Sequence, residues 1–491
     1  METDVAVIGS GAAGMAAALT VAEGGARVII LEKLRHFGGT SNFAQGLFAV
    51  GSDMQRHGYV GLTRDQAFKM AMDYSHWRAD PRIVRAVIDK SAETITWLAG
   101  NGIQFAEVVT MWPEAQRTWH IIKGAPRAGG RGSVMIKALL ARVRQRGGEL
   151  WLSTRVKKLI RAASPGMASS ALGKITGVVA EKAGKTFEIE AKAVVIATGG
   201  YANNKEWVKK YAGFEVDVNL FPLGNIDKMG EGIRMSWEAG AAAEGMGVLQ
   251  LWRGILLGRG IRELGNLNAA ALQPHLWVNQ RGERFCDETV AHIDPYEGNI
   301  CGKQKNGCSY TLFDETIKRH MMEKGIDKNM GTENPPGTPL VDFDKELEGA
   351  LEKKNPHVFA AGSIEELAGM IGAKASVLKA TVEEYNRFCE KGHDGLFAKD
   401  RECLRPLKEP RFYALRCVTM TLGSIGGIKI NHRTEVVDEE DQPIPGLYAA
   451  GSDAGGMYGD SYNIHLSGGT LGFAVNSGRI AGSNALAYIE K

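Results

Sequence analysis

The chain has 491 residues, 44% of them apolar, with 59 basic and 56 acidic side chains and a formal charge of +3. That much apolar material builds at least one full core, more readily two domains, and excludes bulk disorder. Near-balanced charge without long single-sign runs argues against nucleic acid or an anionic membrane as partner and leaves a small molecule.

Six cysteines, at 286, 301, 308, 389, 403 and 417, contain no C-x-x-C pair, which argues against metal centres, haem, iron–sulfur modules and disulfide frameworks. "METD" runs straight into apolar "VAVIG", and no stretch reaches about 18 uncharged residues, so a cytoplasmic protein without a membrane span is expected.

Residues 4–32 hold the clearest signal. A short strand enters Gly9-x-Gly11-x-x-Gly14, an alanine-rich helix follows, and a second strand closes on Glu32. Gly9 suits a tight turn, Gly11 the approach of backbone to a diphosphate, and Gly14 close helix–strand packing. Ala12 and Ala13 open the helix whose N–H groups face the phosphates, and Glu32, with Lys33 beside it, takes a ribose diol. An acid at 32 argues against a 2'-phosphate.

A second glycine-rich turn, "HFGGTSNFAQG", offers Gly38, Gly39, Thr40, Ser41, Ala44 and Gly46 to the rest of a large cofactor. Helices are expected through "TRDQAFKMAMDYSHW", from Pro81 to the Gly100–Gly102 region, and over 133–147. Between them, "MWPEAQRTWHIIKGAPRAGGRG" reads as a loop whose Trp112, Trp119 and His120 line a flat pocket or pack in the core. Three strands of a small sheet follow, with a cofactor contact near position 157, where Val156 and Lys157 adjoin. "AKAVVIATGGYANN" is a buried strand ending at Ala197, Thr198 and Gly199, and "GLYAAGSDAGG" repeats that pattern with Gly451, Ser452 and Asp453.

These four segments, in this order, resemble the FAD-binding domain of the fumarate reductase and succinate dehydrogenase flavoprotein superfamily, whose relatives include 3-ketosteroid dehydrogenases and ene-reductases. The resemblance covers residues 1–220 and 410–491. It implies an α/β fold: a Rossmann-like FAD-binding domain (1–224 and 356–491) with an inserted α+β substrate-capping domain (225–355). It also implies FAD as cofactor, with Gly468, Gly469 and Leu471 at the flavin end.

The pattern departs from fumarate reductases at three positions. His292 stands where the family's proton-donating arginine is expected, Gly423 where a histidine is, and the final loop "YGDSYNIHLSGG" has no arginine to clamp a carboxylate. A small dicarboxylate needs several cationic partners, so fumarate is an unfavoured substrate. Arg253 and Arg259 are the candidate replacements for that clamp. Thr40 occupies the position of the flavin-bonding histidine, so noncovalent FAD is expected. The final loop is closer to that of ketosteroid dehydrogenases, with Tyr462 ahead of Gly468 and Gly469.

Flavin chemistry at a C=C bond needs a proton donor beside the hydride position and hydrogen-bond donors for the substrate oxygen. Tyr458, Ser461, Tyr462 and His465 are the residue types for this, with His292 as a further candidate. The expectation is an FAD-dependent oxidoreductase of a CH–CH or C=C bond next to a carbonyl of a bulky, partly apolar substrate. Flavin-dependent alcohol or amine oxidation, an enoate reductase with an altered clamp, and an electron-transfer subunit with a closed pocket stay open. No second nucleotide fingerprint is present, so a separate electron donor or acceptor is expected.

Overall fold

The computed structural model describes residues 1–112, 115–125, 130–162, 173–223, 226–256, 265–328 and 335–491. Its contacts divide the chain into two units: residues 1–213, 225–250 and 423–491, and residues 214–224 and 251–422.

The first unit is built on a largely parallel sheet. Glu2–Ile8 lies between Val28–Leu31 and Lys185–Ile196, parallel to both, with Ile8 level with Leu31 and Ile196. Pro443–Ala449 extends the sheet beyond Lys185–Ile196, again parallel. Strands buried on both faces read as continuous apolar runs, and "VIIL" and "AVVI" do so here. The expected small sheet is an antiparallel ribbon, Thr154–Arg161 with Ile175–Lys182, continuing into Lys185–Ile196.

Two small-residue helices pack on this sheet and on each other. Gly478 of Gly469–Ile489 comes so close to Ala12–Glu23 that a Cβ on it would stand 2.2 Å from the Ala13 carbonyl oxygen. Alanine and glycine on facing surfaces let the backbones meet and carry Met15, Leu19 and Val475 into one core. Helix Pro81–Gly100 starts as its sequence predicts, with Asp80 accepting from the N–H groups of Arg82 and Ile83. The stretch read as a loop contains a strand, Trp119–Ile122, paired with Gly46–Phe48 and Phe105–Val109.

The second unit centres on the long strand Phe412–Ser424, which pairs antiparallel with Cys308–Asp314 and with Val358–Ala361. Leu276–Val278 continues the sheet from Cys308–Asp314. This pairing places residues 356–422 with the second unit rather than with the cofactor domain. Residues 225–250 fall with the first unit, because Glu231–Glu238 packs on its sheet: a Cβ on Gly232 would stand 2.5 Å from Thr198 Oγ1. The division therefore differs from boundaries at 224 and 355. The turn at Gly282 has one regular arm, Leu276–Val278, its other side being a single bridge from Val278 to Arg284.

Among the described residues, no helix is long and apolar enough to cross a membrane.

Candidate active site and cofactor cradle

Strand Glu2–Ile8 ends in a turn that only bare backbone can make. Gly9 has φ +104°, and a Cβ on it would stand 2.2 Å from the Ala197 carbonyl oxygen. One on Gly14 would stand 2.0 Å from the carbonyl oxygen of Gly9. Gly11, by contrast, has ordinary room, its nearest neighbour being Ser41 Oγ at 3.7 Å. It is the N-cap of the first helix and has no side chain to satisfy that helix's N–H groups. Ser41 Oγ accepts from Ala12 N at 3.0 Å.

Ser10 knits the segments together. Its hydroxyl donates to Glu32 Oε2 at 2.5 Å and accepts from Gly38 N at 3.1 Å, while Glu32 Oε1 accepts from Leu34 N at 2.9 Å. Glu32 is thereby held at the end of its strand, and a carboxylate has lone pairs left for a diol. Lys33 is ion-paired with Glu231 at 2.5 Å and Asp227 at 3.0 Å, so its charge is balanced within the wall.

One cavity joins Gly9, Gly11, Ala12 and Ala13 to Gly39, Thr40 and Ser41, to Ala197, Thr198 and Gly199, and to Gly451 and Ser452. Four segments far apart in sequence thus converge on one cavity. Glu32 and Lys33 line it and also a neighbouring cavity that reaches Val156. Lys157 lines neither; it is ion-paired with Glu181 at 3.1 Å, because alternation along the strand turns it outward.

Six other expected contacts sit behind the wall, among them Gly38, whose N donates to Ser10 Oγ. Asp453 is fully buried, and its carboxylate accepts from the backbone N–H groups of Thr198, Gly199 and Gly200, which shapes the turn. Burial raises its carboxyl group while those N–H groups pull it back. Ala44 closes the 3-10 turn Gly39–Phe43. Gly46 packs on His120, where a Cβ would stand 2.3 Å from the carbonyl oxygen. Gly14 packs within the first turn, and Leu471 joins the core beneath.

Lys228 is a wall residue that sequence reasoning missed. It is 6% exposed, and burial lowers its amine to about 8 against the opposing pull of Asp453. A Cβ on Gly423 would stand 3.0 Å from its Nζ. The position lacking the family's histidine therefore faces a lysine. No local motif announces this contact, whereas the tie from Ser10 to Glu32 is a short-range signal inside the glycine fingerprint.

Residues 458–467 run from this cradle to the last helix. The Tyr458 and Tyr462 rings lie 5.3 Å apart, and their hydroxyl oxygens stand 2.7 and 3.5 Å from where a Cβ on Gly469 would be. Gly468, at φ +86°, accepts from Phe48 N at 2.9 Å and abuts Trp119. His465 sits between the rings of Tyr74 and Trp112, edge-on at 5.4 and 5.3 Å. The loop is pinned by Gln116 N donating to the His465 carbonyl and by Met111 N donating to Ser467 Oγ. Tyr462, Tyr458 and His465 are thus brought together, and Asp460 pairs outward with Arg78. His120 is a core histidine, with Nε2 2.7 Å from Ser52 Oγ and burial lowering it to about 4.

His292 belongs to the second unit. It is 4% exposed with φ +68°, its backbone N donates to Glu297 Oε2 at 3.1 Å, and burial lowers the imidazole to about 3. It is therefore neutral near pH 7 and a poor proton source. Arg253, offered as a clamp, is engaged in the same unit, as is Arg284 of the Gly282 turn. Arg253 is fully buried on the Trp277 ring at 3.8 Å and donates to Ser309 Oγ, Thr311 Oγ1 and the Ala271 carbonyl. Arg284 is bidentate to Glu288 and also pairs with Asp394 at 2.7 Å. Arg259 lies outside the described residues.

A family model described as "FAD binding domain" matches residues 4–468. The chain belongs to this family. It is 35% identical over 99% of its length to a vinyl phenol reductase of Lactiplantibacillus plantarum, of which it covers 97%. Among solved structures it is similar to a 3-ketosteroid delta1-dehydrogenase from Sterolibacterium denitrificans, with TM-score 0.81, 20% identity and 99% of each chain covered. It is also similar to a flavocytochrome c3 fumarate reductase in an open conformation, with TM-score 0.74, 25% identity, and 100% of this chain and 79% of that one covered.

The residues of the cradle fit FAD. An open helix N-terminus with Lys228 suits a diphosphate, Glu32 suits a ribose, and bare backbone at Gly39 and Gly451 leaves room between them. The chain is an FAD-dependent oxidoreductase acting on C=C or CH–CH bonds.

Proposed function

We propose that this chain reduces a C=C bond conjugated to an oxygen-bearing group, an enone or a vinyl phenol, in a bulky and partly apolar substrate. The observation that carries the reading is the final loop, with two tyrosine hydroxyls over Gly469, a histidine between aromatic rings and no arginine. The likeness to a vinyl phenol reductase over nearly the full length of both chains supports it.

Bound FAD supplies the hydride chemistry. The Tyr462 hydroxyl hydrogen bonds the substrate oxygen on which charge develops. Tyr458 or His465 moves the proton for the second carbon. Burial pushes the Tyr458 hydroxyl well above the ordinary tyrosine value and lowers His465, so both are neutral at pH 7. A neutral phenol donates, and a neutral imidazole relays.

A small dicarboxylate is a poor substrate on this reading, since Arg253 and Arg284 have protein partners and the final loop offers no cation. FAD is held without a covalent bond, Thr40 being the residue at the bonding position. Electrons arrive from a separate carrier in a cytoplasmic setting.

The test is anaerobic reduction of the purified protein, followed by para-vinylphenol, a simple enone, a ketosteroid and fumarate, each watched for return of the oxidised flavin spectrum. Reoxidation by the phenol or an enone well ahead of fumarate is expected. Fumarate as the fast oxidant overturns the reading. Acid precipitation should also leave all yellow colour in the supernatant.

A further inference from the structure

Beneath the tyrosine loop is a cavity of about 20 Å³ walled by Phe48, Ala71, Ile88 and Leu466. These belong to an apolar cluster shared by strand Gly46–Phe48 and helices Arg64–Tyr74 and Pro81–Gly100. Two polar atoms on its lining residues have no hydrogen-bond partner among the described residues: the Tyr458 hydroxyl and Asn463 Nδ2. Both residues are 7% exposed. Native interiors rarely leave one such atom unsatisfied, and two on one cavity point to a shared ligand.

Neither group can turn away. Asn463 Oδ1 accepts from His465 N at 2.9 Å, which fixes the amide and leaves Nδ2 as a donor. Tyr458 is held between the rings of Tyr462 and Phe473, and its hydroxyl comes within 2.7 Å of the Cβ position that Gly469 leaves bare. Ser461 and Ser75 complete the polar lining, Ser75 Oγ donating to the Met72 carbonyl at 2.9 Å. Room of this size admits one or two waters and excludes an aromatic ring or a carboxylate.

We propose that Tyr458 and Asn463 hold a resident water, and that this water resupplies the proton Tyr458 gives up during turnover. The second half rests on the functional reading above and selects Tyr458 over His465 as the proton source. Asn463 Nδ2 donates to the water oxygen, and the water donates to the Tyr458 oxygen. One O–H bond breaks at Tyr458 as a C–H bond forms on the substrate. The tyrosine O–H re-forms from the water as that water takes a proton from solvent past half-buried Ser461, so no free hydroxide forms. No electrons move in this exchange. Burial, with the neighbouring Tyr462, keeps Tyr458 strongly in favour of its neutral form, so the tyrosinate recaptures a proton at once.

A high-resolution crystal structure of the FAD-loaded protein should show an ordered water within about 3.2 Å of both atoms. Asn463→Leu keeps the volume but has neither donor nor acceptor for the water, and should lose it. Flavin reoxidation by the best substrate in H2O–D2O mixtures should give a curved proton inventory in the parent and a straight one in Asn463→Leu. A dry cavity with the Tyr458 hydroxyl bonded to the cofactor overturns the proposal, as does an inventory that Asn463→Leu leaves curved. If no substrate reoxidises the flavin, the functional reading fails, while the electron density still decides the water site.

Discussion

In the cradle, Gly9, Gly14 and Ala197 meet through bare backbone, with 2.0 and 2.2 Å left where a Cβ would be. In the second unit, Arg253 and Arg284 fill their surroundings and hydrogen bond to carboxylates, hydroxyls and a carbonyl. The first region is specified by side chains that are missing, because a diphosphate must reach backbone N–H groups. The second is specified by large charged side chains that hydrogen bond and ion-pair within the protein. A glycine in the right place is therefore a better guide to function here than an arginine in the family's place.

The sharpest way to break the comparison is within the cradle. Gly9→Ala puts a methyl group into the Ala197 carbonyl and strains a positive φ, which costs about 3 kcal/mol or more. It should give little soluble, colourless protein. Gly11→Ala meets only ordinary contacts at 3.7 Å, so the apoprotein should melt near the parent temperature while FAD affinity drops. Measured FAD content and thermal midpoints of the two variants decide this. Equal behaviour would mean the two glycines share one task.

Next in size is the ion cluster. The Arg284 and Glu288 side chains are 3% and 0% exposed, so Arg284→Met leaves a buried carboxylate short of a partner and should cost about 3–5 kcal/mol. Its neighbour Arg281, 76% exposed and paired with Glu283, should cost less than about 0.5 kcal/mol on the same change. Urea titration of both variants is the check. A mild Arg284→Met would reopen that arginine as a substrate ligand.

Much of the first unit was legible because its signals are local. The Gly9–Gly14 spacing, the closing Glu32, the buried strand before Ala197 and the helix begun by Asp80–Pro81 all lie within short windows. Lys228 escaped because its meeting with Gly423 and Gly199 joins distant segments. At Asp453, an acid after a strand and small residues looks alike whether it faces a ribityl chain or, as here, the N–H groups of another turn. Lys157 shows the period-2 limit: one step along the strand separates cavity from solvent. The second unit's extent was hidden because strands 358–361 and 412–424 join its sheet only by long-range pairing.

The loop 458–467 stands between the two cases, with large polar side chains placed over a bare Gly469. Tyr462→Phe should keep bound FAD and lower substrate-driven flavin reoxidation by about 10²–10³. His465→Ala should lower it less if Tyr458 supplies the proton. Parent-like rates in both Tyr462→Phe and Tyr458→Phe would make this loop a packed cap, like the arginines of the second unit.

The smallest effect concerns how buried charge registers in pH. Burial raises Asp294 to about 7 and Glu297 to about 8, Glu297 also feeling the Asp294 charge against the pull of Arg253. In an unfolded chain both titrate near the ordinary 3.8 of an aspartate and 4.5 of a glutamate. The folded protein therefore binds more protons than the unfolded one between those limits, and the stability linked to these carboxyls is lost as pH rises through 7 and 8. Buried His120, His275, His292 and His357 act in the opposite sense: burial lowers each below 6.5, so their contribution is lost as pH falls below that value. Lys228, lowered to about 8, adds stability only as pH rises above 8. The clean window is thus pH 6.5 to 8, where the unfolding free energy from urea titration should decline with rising pH by up to about 1 kcal/mol per unit per carboxyl, the Asp294 share fading above pH 7 and the Glu297 share above pH 8. Asp294→Asn should make that decline shallower and leave the Glu297 share. A flat or rising parent profile there would mean that water or a counter-charge reaches Asp294 and Glu297, and the second unit's interior would then share the cradle's openness.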